Sequence, residues 1–136
     1  MDKSKFVRLE KFDIQFADTI AAGVLGEMSY DFNFGCSIEK MVITFPIGSH
    51  YELQIRPYLL RPDKGTIELI DYVGNRFVSG DNQAKPYSPS RMVEYGYKLV
   101  IAYNNIGADA HGFDIAVVCD PLFGSLRADA VKGVRK

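Results

Sequence analysis

The sequence predicts one all-β domain, a two-sheet antiparallel β-sandwich of the jelly-roll type, with about eight strands and extended termini. Three observations predict it. Large apolar and polar side chains alternate with a period of two in segment after segment. Turn-forming residues punctuate the chain about every ten residues. No long amphipathic helical stretch alternates with the strand-like runs, which argues against a doubly wound α/β fold.

The elements follow in order. Phe12-Asp13-Ile14-Gln15-Phe16 alternates dry and wet positions, as does EMSYDFNF over residues 27–34. Residues 17–25 could form a helical turn, interrupted by Gly23 and Gly26. Met41-Val42-Ile43-Thr44-Phe45 is a strand-favouring run stopped by Pro46. Tyr51-Glu52-Leu53-Gln54-Ile55-Arg56 alternates again, and Pro57 predicts a bend or a sheet edge after it. Ile67-Glu68-Leu69 repeats the pattern. Residues 97–103 form an apolar run closed by the turn pair Asn104-Asn105, and residues 113–119 one closed by Asp120-Pro121. Two loops stand out: SGDNQAKPYSPS over residues 79–90, and NNIGADAHG over residues 104–112. A short helix is expected near residues 126–131.

This organisation gives an N-terminal arm over residues 1–11, a sandwich over 12–120 and a C-terminal basic tail over 121–136. The 136 residues fit one domain that needs no covalent staple. Apolar residues make up 47% and charged residues 24%, which excludes general disorder. The net charge of -1 excludes an overall basic face for nucleic acid. The wet positions Asp13, Asp31, Glu52 and Glu68 point the same way. Residues 124–136 carry four basic side chains against one acid, suited to an acidic neighbour. No apolar run reaches the ~20 residues of a membrane span. MDKSKFVRLEKF lacks the apolar core of a secretory signal, so folding in a cytoplasm is expected. Cys36 and Cys119 are expected to be free and buried.

Motifs for chemistry are sparse. His50-Tyr51-Glu52 could bring a histidine and a carboxylate to one face of a strand, a fragment of a cupin-like metal site. It has no second histidine beside it, and a surface histidine at a loop–strand junction is the plainer reading. A zinc deaminase would need a paired Cys-x-x-Cys, which the sequence lacks. His111 lies just before a strand, with Asp109 or Asp114 as its expected polar contact. Cys119 is eight residues further along that strand, ~26 Å away at strand rise, too far to react with it. Phosphate-binding glycine loops and nucleophile elbows are absent from the sequence. Residues 80–83, and Asn104 and Asn105 with Asp109, offer oxygens to a hard cation but too few acids to hold one. No cofactor and no metal is expected.

Eight Tyr and nine Phe supply aromatic surface without any Trp. The Phe fall mainly on dry positions. Tyr58, Tyr72, Tyr87 and Tyr95 are the candidates for exposed contact, and Tyr87 between Pro86 and Pro89 is the one expected to project.

YELQIRPYLL, GNRFVSGDNQ, EYGYKLVIAYNN and HGFDIAVVCD, in that order, resemble the small jelly-roll accessory proteins of tailed bacteriophages: decoration or cement subunits and fibre bases. The resemblance covers roughly residues 27 to 120 in strand texture and carries no functional residue across. It implies pairing of residues 95–103 with 113–119, self-association, often as a trimer, and docking on a capsid by the termini. It also implies residence in a virion assembled in the host cytoplasm.

The expected function is therefore a non-enzymatic virion structural protein. Its partners are expected to be itself and a larger assembly, with no membrane and no nucleic acid. Candidate binding residues are Arg127, Lys132, Arg135 and Lys136 in the tail, then Asp81, Asn82, Tyr87 and His111 in the loops. The alternatives are a glycan- or receptor-binding module using residues 79–90 and 104–112, and a small cupin-like metalloenzyme using His50 and Glu52.

Overall fold

A computed structural model describes residues 6–8, 11–70, 76–121 and 125–127. The described chain forms eleven strands and no helix. They are β1 (Phe6–Arg8), β2 (Phe12–Ile20), β3 (Leu25–Asp31), β4 (Cys36–Phe45), β5 (Leu53–Leu60) and β6 (Thr66–Glu68). There follow β7 (Gln83–Tyr87), β8 (Arg91–Val93), β9 (Lys98–Asn105), β10 (His111–Pro121) and β11 (Ser125–Arg127).

The pairing is nested. β2 pairs with β10, β3 with β9, β4 with β7 and β8, and β5 with β6, all antiparallel. That is one long hairpin of strands rolled on itself. Two further pairings close the roll: β10 with β4 and β9 with β5. The result is one sheet ordered β2-β10-β4-β7, with β8 end to end with β7 along β4, and a second ordered β3-β9-β5-β6. This nested order is a jelly roll, as the alternation predicted. The termini pair with each other, β1 against β11.

Alternation fills the interior. In β10, His111, Phe113, Ile115, Val117 and Cys119 are buried, while the residues between them are exposed or half-buried. In β4 the phase slips once. Cys36 and Ile38 point inward, then Met41, Ile43 and Phe45 do, because the register shifts opposite Val118 and Cys119. Glu39 is the extra residue of this bulge, which keeps both halves of the strand in the core. Each fully buried Ile or Leu contributes roughly 1.5–3 kcal/mol of transfer free energy, and the core is one continuous cluster from Ile14 to Cys119.

Several local expectations are corrected. Residues 17–20 continue β2 instead of turning into helix, because His111 to Asp114 supply ladder partners for them. Leu126 lies in β11, not in a helix, and residues 128–131 fall outside the described residues. The 79–90 segment contains a strand, β7. Its Pro86 is tolerated because β7 is an edge, whose outer side needs no donor. Pro57 ends nothing: β5 runs through it to Leu60. Its ring nitrogen faces the end of β6, where Leu69 N donates to the Pro57 carbonyl at 3.3 Å. β9 includes Asn104 and Asn105, and β10 runs through Asp120 to Pro121. The expected pairing of residues 95–103 with 113–119 is corrected: β9 lies between β3 and β5 in one sheet and β10 between β2 and β4 in the other, because the roll carries the chain across the sandwich at this link.

Cys36 and Cys119 are free and fully buried on neighbouring strands. Their thiols are hydrogen-bonded, which holds Cys36 below the usual thiol value and pushes Cys119 above it.

Candidate interaction surface

The roll brings four links to one end of the sandwich: β2–β3, β4–β5, β6–β7 and β9–β10. These are joined backbone to backbone. Gly23 N donates to Asn105 O at 2.9 Å, and Asn105 N to Val24 O at 3.0 Å. Ile106 N donates to Glu52 O at 3.0 Å, Tyr51 N to Gly80 O at 3.1 Å, and Asn82 N to Pro46 O at 3.2 Å. Each link is thus tied to its neighbour through its described residues, the β6–β7 link at Gly80 and Asn82, which gives a braced platform in place of independent loops.

Three polar side chains complete it. Asn105 is fully buried. Its amide donates to the carbonyls of Ile20, Ala21 and Asp109, and its Oδ1 accepts from Gly107 N. Asp81 Oδ1 accepts from Gly48 N at 2.8 Å and Ser49 N at 3.1 Å, and its Oδ2 lies 3.7 Å from His50 Nδ1. His111, buried at the start of β10, holds Glu52 through an Nε2–Oε1 contact of 2.8 Å. These bonds sustain an unfavourable turn. Gly48, His50 and Tyr51 all take positive φ (94°, 53° and 59°), and two consecutive non-glycine residues there cost of the order of 1 kcal/mol or more each.

Among the side chains this platform presents outward is a group of large apolar ones. Of the eight large hydrophobic residues exposed among those described, five lie on these links, Val24, Ile47, Tyr51, Phe77 and Ile106, and a sixth, Leu25, opens β3 directly after one of them. Leu25 is 74% and Ile47 80% exposed. Single exposed apolar residues are ordinary, but such a concentration marks a contact surface. A surface already braced loses little conformational entropy when it docks.

Beside the platform, Tyr51, Phe77, Lys85 and Tyr87 line an open cleft of about 260 Å³ floored by Ile70 and Val78. The Lys85 ammonium donates to Ser79 O at 2.6 Å.

The sequence-predicted residues divide clearly. Asp81, Asn82 and His111 meet at the platform, where Asp81 and His111 act as internal braces. Tyr87 lies half-buried against the core instead of projecting, and Tyr95, at 71%, is the more exposed ring. Tyr58 is tied into the outer face of the second sheet, and Tyr72 lies outside the described residues. Arg127 ends β11, and Lys132, Arg135 and Lys136 lie outside the described residues. The contact expected between His111 and Asp109 or Asp114 is replaced by Glu52, since the β9–β10 link folds over β5. The pairing of His50 with Glu52 is corrected too. Positive φ at residues 50 and 51 breaks the strand alternation, so His50 faces Asp81 and Glu52 faces His111. Among the described residues no three metal-ligating side chains gather.

The exposed Val24, Ile47 and Ile106 were missed in the sequence reading. Ile47 and Ile106 are each flanked by turn formers, in Pro46-Ile47-Gly48 and Asn105-Ile106-Gly107, and Val24 directly follows Gly23. A hydrophobic side chain in so tight a turn cannot reach a core, and that was the available signal.

No helix among the described residues is long and apolar enough to cross a membrane. No family model matches the chain. No curated protein matches it either. Among solved structures it is similar to chains of infectious bursal disease virus. For the Gt strain the TM-score is 0.46 at 13% identity, and for the Gx strain 0.40 at 16%. Each match covers 86% of this chain and 34% of the other, so the chain spans about a third of the length of those it matches.

Proposed function

We propose that this chain is a non-enzymatic structural subunit of a virus particle that works by self-association and docking. The observation that carries the reading is the loop end, a braced platform with six exposed apolar side chains. The histidines and the acids Asp81 and Glu52, which would otherwise suggest chemistry, are taken up in bracing it. The jelly roll itself is an architecture that viral shells use repeatedly. The basic tail, beyond the point where the termini pair, would supply a second contact with an acidic neighbour.

Sedimentation velocity from micromolar to millimolar concentration tests this, on the full chain and on one ending at residue 123. The full chain is expected to associate with rising concentration. A strict monomer throughout would overturn the reading. Identical assembly of the shortened chain would remove the tail from it.

A glycan-binding reading is favoured by one observation, the cleft in which Tyr51, Phe77 and Tyr87 surround Lys85. Aromatic faces beside a cation suit a sugar ring bearing an acid. Glycan-array binding lost in Tyr87→Ala would favour it, and an empty array would dismiss it.

A further inference from the structure

We propose that Cys36 and Cys119 form a modification site: an oxidant of the peroxide class closes them into a reversible disulfide that staples β4 to β10, the central strands of the first sheet. The inference is independent of how the chain assembles. It gives the protein a second, covalently locked form.

Placement carries it. The sequence holds two cysteines, far apart along the chain, and the roll brings them together. Cys36 opens β4, and Cys119 lies two residues before the end of β10. In the ladder Pro121 faces Cys36 and Cys119 faces Ile38, so the two cysteines are diagonal neighbours. Both point into the core from the same face of the sheet, and both are fully buried. Diagonal neighbours in an antiparallel pair lie roughly 7–8 Å apart, and a disulfide joins Cα atoms usually about 4.4–6.8 Å apart. Here the thiols are already hydrogen-bonded to each other. The remaining closure, of the order of 1–2 Å, falls on the last rungs of the β4–β10 ladder. Strand ends open at far lower cost than the whole sheet. The same opening admits a small oxidant to a pair that the closed sheet shields. Buried cysteines are ordinarily inert packing residues. This pair differs because each thiol is the polar partner of the other and no third cysteine competes.

The chemistry balances within the pair and one peroxide. The Cys119 S–H donates to Cys36 Sγ, which favours loss of the Cys36 proton. The Cys36 thiolate attacks one peroxide oxygen. An S–O bond forms, the O–O bond breaks, and the departing hydroxide takes up a proton to leave as water. Cys119 then gives up its proton, and its sulfur attacks the Cys36 sulfenic acid. The S–S bond forms, the S–O bond breaks, and the oxygen leaves as a second water. Two thiols are oxidised by two electrons, and one peroxide is reduced to two waters. The staple encloses most of the jelly roll in one covalent ring. Closing so long a loop removes conformational freedom from the unfolded chain. A chain folded among reducing thiols keeps the pair open, and transfer to an oxidising medium closes it.

Mass and stability together test this. The full chain would be treated with hydrogen peroxide under native conditions, then unfolded, alkylated with iodoacetamide and weighed by intact mass spectrometry, with and without dithiothreitol. The expected product lacks two hydrogen atoms and carries no alkyl group. Its digest is expected to hold one linked pair of peptides, containing Cys36 and Cys119, and dithiothreitol is expected to restore two alkylated thiols. The Tm of the oxidised chain is expected to exceed that of the reduced chain by at least about 5 °C and to fall back on reduction. Cys36→Ser and Cys119→Ser are each expected to lose both effects. Where a variant does not fold, the oxidised and reduced wild type decide the matter by themselves. Two alkylated thiols after peroxide treatment would overturn the inference. So would a sulfinic acid at either cysteine in place of the link, a link between two chains, or a link that forms only in urea. An oxidised chain no more stable than the reduced one would overturn the staple.

Discussion

His111 Nε2 and Glu52 Oε1 lie 2.8 Å apart, joining the first residue of β10 to the residue just before β5 across 59 positions of sequence. His111 is 6% exposed and the Glu52 side chain 38%. The histidine therefore depends on this partner more than the acid does. Removing one member of a buried hydrogen bond typically costs about 1–3 kcal/mol, and partial exposure of Glu52 places this pair toward the lower end. Glu52→Ala is expected to lower the urea midpoint by that amount and to speed amide exchange over residues 105–111. Glu52→Gln keeps an acceptor for an N–H and is expected to recover most of the loss. Equal loss in both variants would show that charge, not the hydrogen bond, holds the link.

Asn105 is the deeper brace. It satisfies three carbonyls and one N–H from a fully buried position at the end of β9. Asn105→Ala would strip partners from Ile20 O and Asp109 O in a site with little access to water. A loss of roughly 2–4 kcal/mol is expected, since several groups are left unsatisfied together. Asn105→Asp is expected to be worse, because a carboxylate offers no donor to those carbonyls. Urea denaturation ranks the three proteins. An aspartate variant as stable as the wild type would contradict the assignment of donor and acceptor.

These two residues also show what the sequence could and could not disclose. The strands were legible because alternation is local: Ile14 and Phe16, or Leu53 and Ile55, declare their face within five residues. The bulge at Glu39 was not, because it becomes visible only against Val118 on the partner strand. β7 was hidden by Pro86 and Pro89, which weaken a strand on a propensity scale but are harmless on an edge. At the loop end, Asp81, Asn82 and His111 were found by composition, yet their partners Gly48, Ser49 and Glu52 are more than thirty residues away in sequence. A period-two pattern says which face a side chain takes and nothing about which distant loop it meets. The link between Asn105 and Ile20 spans 85 positions and follows only from the rolled topology.

The outer face of the second sheet carries its own polar cover. Arg56 pairs with Glu68 through both Nε and Nη2, its guanidinium lies 4.4 Å over the Tyr58 ring, and Tyr58 Oη donates to Glu27 at 3.3 Å. This explains why Val100 is only 2% exposed although it lies outside the core cluster: its register partners Ser29 and Tyr58 flank it, and the ring and guanidinium lie over the sheet there. Arg56→Lys keeps the charge but loses the fork and the stacking. It is expected to cost about 1–2 kcal/mol, with most of the same loss in Glu68→Gln. In a double-mutant cycle the two changes should be clearly less than additive. Additive losses would mean that the two side chains act independently.

The alkaline limb of stability is expected to report on Tyr30. Burial pushes its phenol above the ordinary tyrosine value, and the neighbouring Cys119 and Cys36 thiols act in the same direction. As pH passes about 10, the unfolded chain releases this proton while the folded chain retains it. The unfolded state then binds fewer protons than the folded one, so stability must fall as pH rises. The contribution is complete below that pH and is lost as pH climbs through the higher folded value. Tyr30→Phe removes the titrating group while keeping the ring that meets Phe32 edge-on at 5.1 Å. Urea midpoints measured from pH 8 to 11 should therefore fall more steeply for the wild type than for Tyr30→Phe. Parallel curves would show that the phenol titrates alike in both states, and the limb would then belong to Tyr58, whose phenol burial also raises, or to Cys119, pushed up first by its bond to Cys36 and then by burial.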